Sequence, residues 1–208
     1  DGGLTISSTG TTSITGALTA GSYSVSGAAT ISNSITTSGA QSYLAGSSIG
    51  GTDNQAVTLT ASSVTFGTSV AAIGNDIDLT ITGNMTTTGE FESNVSATFG
   101  LLSVSGTSAI GADIHTNSTQ TYTGATTLST NSVMTTDNSN IIFGNTLNSA
   151  SSTARRLAPN VGTGLVQFSG EVGATNALGL IDITGGLDLD ANITGAAGLI
   201  ASPGWKSK

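Results

Sequence analysis

Apolar and polar residues alternate along this chain, and the alternation recurs in long copies. In Tyr23-Ser-Val-Ser-Gly-Ala-Ala-Thr-Ile-Ser-Asn-Ser-Ile35 the odd-numbered positions are mostly aliphatic or aromatic, and the even-numbered ones are small and mostly polar. Leu102-Ser-Val-Ser-Gly-Thr-Ser-Ala-Ile-Gly-Ala-Asp-Ile114 and Ile181-Asp-Ile-Thr-Gly-Gly-Leu-Asp-Leu-Asp-Ala-Asn-Ile193 repeat the pattern at a constant offset of 79, without a gap. A period of two with one apolar side predicts β-strands, each burying one face. Gly27, Gly106 and Gly185 fall between two apolar pairs, where a glycine marks a bend in the strand path. No window shows a helical period, and Gly and β-branched residues interrupt every candidate helix.

The repeat extends beyond these stretches. Ser38-Gly-Ala-Gln-Ser-Tyr43 matches Asn117-Ser-Thr-Gln-Thr-Tyr122 at 79, and Val64-Thr-Phe-Gly67 matches Ile141-Ile-Phe-Gly144 at 77. The slips in register are expected in the turn-rich segments 51–54, 69–75 and 145–153. Ile6 aligns with Met85 and Gly21 with Gly100, so the first unit is read as partial. The units are then 1–34 (partial), 35–113, 114–192, and 193–208 (partial, or a cap built around Pro203 and Trp205), in one domain spanning 1–208. A repeat of this kind denotes stacked supersecondary units. Four turns per unit gives about 20 residues a turn, the size of a small triangular coil. The expected fold is therefore all-β: a right-handed parallel β-helix of about ten coils, roughly 50 Å long at the usual inter-strand spacing. Its open ends would expose unpaired strand edges.

Composition narrows the classes. Only 8% of residues are charged and 4% aromatic, while Gly numbers 29; an ordinary domain carries about 25% charge. Low charge and positive mean hydropathy argue against a disordered Gly/Ser/Thr linker. So few aromatics argue against the girdled outer-membrane barrel, which also alternates. Net charge is −8, and the only basic residues are Arg155, Arg156, Lys206 and Lys208. No basic stripe for nucleic acid or anionic lipid can be built from them. No apolar run approaches the ~20 residues of a membrane-spanning helix. With no Cys there is neither disulfide nor thiolate chemistry. No signal peptide is visible, so the chain is expected to be a mature product or a piece of something longer.

Candidate chemistry is sparse. Asp76 and Asp78 alternate with Ile77 and Leu79, and Asp188 and Asp190 alternate with Leu187 and Leu189. These four are the candidates for a divalent-metal or acid/base site, against the plainer reading of a solvated outer face. Oxygen-only calcium sites need six to eight ligands, so no metal site or cofactor is assigned. Calcium bridging stacked acidic loops is the one metal role left open. His115, on the same strand face as Asp113, is the only histidine, and no nucleophile-elbow motif accompanies it. Arg155 and Arg156 are adjacent and expected in a variable loop. Tyr43 and Tyr122 recur, which favours packing over a unique site. Ice binding would require Thr-x-Thr on every coil, and the sequence does not show that regularity. It does occur at Thr80-Ile-Thr82.

Ser34-Ile-Thr-Thr-Ser-Gly-Ala-Gln-Ser-Tyr43, Val64-Thr-Phe-Gly67, Leu79-Thr-Ile-Thr-Gly83 and Gly100-Leu-Leu-Ser-Val-Ser-Gly106 stand in that order across the chain. In order and spacing, over roughly residues 4 to 193, they resemble the filamentous-haemagglutinin-like β-strand repeats of large bacterial surface adhesins. The resemblance implies an exported, non-enzymatic, right-handed parallel β-helix displayed outside the cell as part of a fibre. It also implies partners of two kinds: copies of itself, end to end or laterally, and glycans or proteins on a host or neighbouring cell. The chain holds no secretion domain, cell-attachment tripeptide or lectin-like module of that family. Two alternatives stand beside this reading: a self-assembling filament subunit joined through coil ends, and, from another class, a polysaccharide-active β-helix enzyme.

Overall fold

The computed structural model describes residues 2–92 and 97–201, and the expected cap at Pro203 and Trp205 lies outside them. Among the described residues there are twenty-three β-strands and no helix, and every strand pairing is parallel. The chain winds as a three-sided solenoid.

On the first side lie Gly3–Ile6 (β1), Ser22–Val25 (β4) and Gln41–Tyr43 (β7). They are followed by the second halves of Ala56–Phe66 (β9) and Ile77–Thr87 (β11), then Ser108–Ile110 (β14), Thr126–Leu128 (β17) and Leu147–Ser149 (β20). The second side stacks Thr12–Ile14 (β2), Ala29–Ile31 (β5), Ser47–Gly50 (β8), Val70–Ile73 (β10), Phe91–Glu92 (β12), Ile114–Thr116 (β15) and Ser132–Thr136 (β18). It is completed by the first halves of Leu157–Phe168 (β21) and Leu178–Leu189 (β22), and by Ala196–Ala201 (β23). The third side holds Leu18–Ala20 (β3), Ile35–Thr37 (β6), the first halves of β9 and β11, Phe99–Val104 (β13), Gln120–Tyr122 (β16) and Ile141–Phe143 (β19). The second halves of β21 and β22 close it. The four long strands each run round a corner from one side to the next.

One inward column shows the size of the coil. Leu4, Tyr23, Gln41, Val64, Met85, Ser108, Thr126, Leu147, Val172 and Ile193 stand above one another on the first side, one turn between each and the next. The turns differ in length, those from Tyr23 to Gln41 and from Ser108 to Thr126 being the shortest and the one from Leu147 to Val172 the longest. Over about nine turns the coil averages ~21 residues, close to the expected value. At about 4.8 Å per turn the rod is roughly 43 Å long.

The 79-residue unit is not four turns. From β4 to the start of β13 the chain lays down eleven strand segments, which is three full turns and two further sides. Tyr23 therefore lies on the first side, its equivalent Leu102 on the third, and Ile181 on the second. Sequence period and coil period are incommensurate, and each copy is turned by one side.

Inside, the columns are mostly apolar, with buried Ser, Thr and Gln at intervals; outward positions are mostly Ser, Thr and Asn. Two runs of rings reinforce them. Tyr43 stacks on Phe66 at 5.3 Å between centroids, and Tyr122, Phe143 and Phe168 stack at 5.5 Å with interplanar angles of 16–17°. Each such pair adds about 0.5–1.5 kcal/mol beyond the area it buries. Beside each run sits a buried glutamine. Gln41 Nε2 donates to the carbonyls of Ile35 and Thr60, while its Oε1 accepts the Tyr43 hydroxyl at 2.9 Å. Gln120 Nε2 donates to the carbonyls of Ile114 and Thr135, and its Oε1 accepts the Tyr122 hydroxyl at 3.0 Å. The glutamine spans a corner where ladder bonds cannot reach, which is why Gln and Tyr recur two positions apart.

Corners are tied on the outside as well. Side-chain oxygens of one coil accept backbone N–H groups of the next: Asp78 from Leu101, Asn84 from Thr107, Asn138 from Thr163, Asn140 from Leu165 and Asn148 from Thr175. Two of the corner glycines are obligatory. Gly83 and Gly185 have φ of +140° and +129°, and a Cβ would run into the Ala61 carbonyl at the first and the Val161 side chain at the second.

Candidate functional site

The three sides carry different chemistry. The middle outward column of the first side reads Thr5, Ser24, Ser42, Thr65, Thr86, Ala109 and Thr127. The second side gathers ionisable groups, and the third is lined by paired hydroxyls.

On the second side, Phe91 pairs with Ile114 and Ile114 with Met134. That register sets Glu90 and Glu92 on the outside beside Asp113 and His115, one coil on. Two adjoining depressions of about 320 and 460 Å³ open there, lined by Glu90, Glu92, Asp113, His115, Val133 and Asn131 among others. The Asp113 Oδ1 accepts the Val133 N–H at 2.7 Å, which commits that carboxylate to joining coils. His115 Nε2 lies 4.0 Å from Asp137 Oδ1, with both side chains well exposed. Among the described residues no three His, Cys, Asp or Glu side chains form a group able to hold a metal ion. Alternation at Asp113 and His115 is visible in the sequence. Glu90 and Glu92 lie a whole coil earlier in the chain, and only the coil register brings them alongside.

The four aspartates considered for metal or acid/base chemistry do not converge. Asp78 and Asp188 share the third side, but five turns separate the row of Thr80 from that of Asp188, about 24 Å along the rod. Their strand neighbours Ile77, Leu79 and Leu187 are buried and Leu189 is partly buried, so the carboxylates face out. Each is engaged locally where a bond is seen. Asp78 Oδ1 accepts the Leu101 N–H, Asp76 stands in a left-handed turn (φ +54°), and Asp190 Oδ2 accepts Gln167 Nε2 at 2.9 Å. Arg155 and Arg156 close the loop before β21, and Arg156 reaches across to Asp182 with Nη2–Oδ2 at 2.6 Å. Tyr43 and Tyr122 are core residues. Burial pushes both phenols well above their ordinary 10.0, so each stays a hydrogen-bond donor.

No family model, curated protein or solved structure matches this chain. The parallel solenoid is compatible with a β-helical repeat region.

Proposed function

We propose that the chain is a non-catalytic, stiff segment of a bacterial cell-surface fibre, holding a binding end away from the cell or joining copies of itself into a filament. The observation that carries this is the inward column from Leu4 to Ile193, built by parallel backbone ladders as far as Leu147 and by single parallel bridges at Val172 and Ile193. Such a stack resists bending because every turn shares its strands with both neighbours. The rest of the reading comes from the resemblance in its sequence: extracellular display, adhesion to surface glycans or proteins, and association through coil ends.

Electron microscopy of the purified chain tests the mechanical half, with dispersed rods of roughly 43 Å expected of a spacer and long filaments of a self-assembling subunit. Globular particles would defeat both. Beads coated with the chain, flowed over bacterial and epithelial surfaces, test the adhesive half. Retention no greater than on bare beads, with rods intact, removes adhesion by this segment and leaves the spacer.

A further inference from the structure

The third side bears an array that its sequence hides. Five rows, each of two outward hydroxyls flanking one buried apolar residue, stand on consecutive coils: Ser34-Ile-Thr36, Thr58-Leu-Thr60, Thr80-Ile-Thr82, Ser103-Val-Ser105 and Thr121-Tyr-Thr123. Register places Thr60 over Thr36, Thr82 over Thr60, Thr80 over Thr58, Ser103 over Thr80 and Thr121 over Ser103. The ladder continues one position further, with Ser105 N donating to Ile81 O and Thr123 N to Val104 O, so Ser105 and Thr123 complete the second column. Thr19 extends that column downward beneath Thr36. The rows begin at Ser34, Thr58, Thr80, Ser103 and Thr121, so no constant spacing in the sequence betrays them.

We propose that this face binds ice. Rows are about 4.8 Å apart, and the two hydroxyls of a row about 6.7 Å, fixed by the sheet itself. These lengths are of the order of the oxygen repeats in the faces of hexagonal ice. Eight of the ten hydroxyls make no hydrogen bond within the protein among the described residues; Ser34 Oγ accepts from Thr58 N and Ser105 Oγ from Gly83 N. No array position is charged.

A hydroxyl facing liquid water gains little from exchanging one water for another partner. Ten hydroxyls on a rigid sheet gain only against a ligand that repeats at their own spacing, since each row then adds its increment without further ordering. The Thr side chains are already stiff at χ1, so little entropy is lost on contact. A neutral grid also selects a neutral lattice over polyions. A crystalline polysaccharide is periodic too, but all three Tyr and all five Phe are buried, so among the described residues this face offers no aromatic platform for sugar rings. The inference is independent of whether the rod is adhesive.

The experiment is ice-affinity partitioning of the fluorescently labelled chain during slow growth of polycrystalline ice, with thermal hysteresis read in parallel. The intact chain should enrich in the ice fraction and arrest crystal growth. Thr82→Tyr and Thr60→Lys, both outward-pointing, should each return partitioning to that of a non-binding protein. Thr65→Tyr, on the first side, should leave it unchanged, and circular dichroism checks that all variants keep their strands. Rejection of the folded wild-type chain from ice overturns the proposal. Equal loss in Thr65→Tyr overturns the assignment to this face. Retention on crystalline cellulose or chitin, lost in Thr82→Tyr and without ice enrichment, would overturn it in favour of a polysaccharide lattice.

Discussion

Removing the buried amide of Gln120 should cost more than removing the phenol it holds, and the two losses should overlap. Gln120 and Tyr122 are both 0% exposed. In Gln120→Leu the Tyr122 hydroxyl and the Thr135 carbonyl lose their 3.0 and 2.9 Å partners together. A buried polar group left unpaired costs about 1–3 kcal/mol, so two groups imply about 2–6 kcal/mol. Tyr122→Phe strands only Gln120 Oε1, for about 1–3 kcal/mol. In the double variant neither end of the Gln–Tyr bond is present, and only the carbonyls that Gln120 Nε2 held, Thr135 at 2.9 Å and Ile114 at 3.4 Å, lose a partner. Its cost should therefore fall below the sum of the singles by the two groups no longer stranded, about 2–6 kcal/mol, the lower part of which lies in the range of about 0.5–3 kcal/mol seen for directly bonded pairs. Urea unfolding followed by circular dichroism measures all three, with comparable m-values required for the comparison. The second copy is an internal control: Gln41→Leu with Tyr43→Phe repeats the arithmetic through the Thr60 carbonyl at 3.0 Å. Additivity within about 0.5 kcal/mol at both sites would refute the shared bond.

Alkali should unfold the rod cooperatively. The phenols of Tyr43 and Tyr122 are held above their usual 10.0 by burial, so folding favours the neutral forms. That stability is whole below about pH 10 and falls as unfolded tyrosines ionise, by about 2.7 kcal/mol per pH unit for the two; tyrosinate absorbance should rise together with loss of strand signal, and gradual ionisation in a folded rod would contradict this. Phe143→Ala, in the middle of the Tyr122–Phe143–Phe168 stack, should cost about 3–5 kcal/mol, with hydrogen exchange accelerated first in β16, β19 and β21. Thr126→Val should be neutral or stabilising in thermal melts, because the Thr126 hydroxyl is buried without a partner. Against the enzyme alternative, a glycan-cleavage screen should find no activity that Asp76→Asn, Asp78→Asn, Asp188→Asn, Asp190→Asn, Glu92→Gln or His115→Ala abolishes.

The fold was legible because alternation is a local property. Tyr23, Val25 and Ile31 sit an even number of positions apart, and that alone puts them on the inward side whatever the coil length. The outward reading of Asp76, Asp78 and Asp188 followed from the same rule. What lay beyond reach was everything set by stacking. The short step from Ser108 to Thr126 and the long one from Leu147 to Val172 look unrelated in sequence, yet each is one turn of the rod. Dividing 79 by four therefore put the copies on one side when they occupy three. The company of Glu90 and Glu92 with Asp113 and His115 was hidden for this reason, and so was the Thr-x-Thr array. Both are relations between coils, fixed by the loop lengths at each corner.

That incommensurate winding also says what shaped the outside. Were surface chemistry inherited with the repeat, equivalent positions would carry the same groups on different sides. Ser34 and Thr36 of the array have Asp113 and His115 as their 79-residue equivalents, on the charged second side. Thr121 and Thr123 correspond to Ser42 and Leu44 on the first side, and Ser103 and Ser105 to Asp182 and Thr184 on the second. Inward residues meanwhile keep their character across copies, as Ile35 and Ile114 do. The core follows the repeat, while the surface follows it only in part: Ser103 and Ser105 match Ser24 and Ser26 of the first copy, on the first side, but not the charged Asp182 of the third. Rows of the array thus come from different places in the unit, and duplication alone does not assemble them. Their convergence on one face predicts that Thr60→Asp, which installs the group of its 77-residue equivalent Asp137, leaves the melting temperature nearly unchanged while abolishing any binding to a periodic ligand.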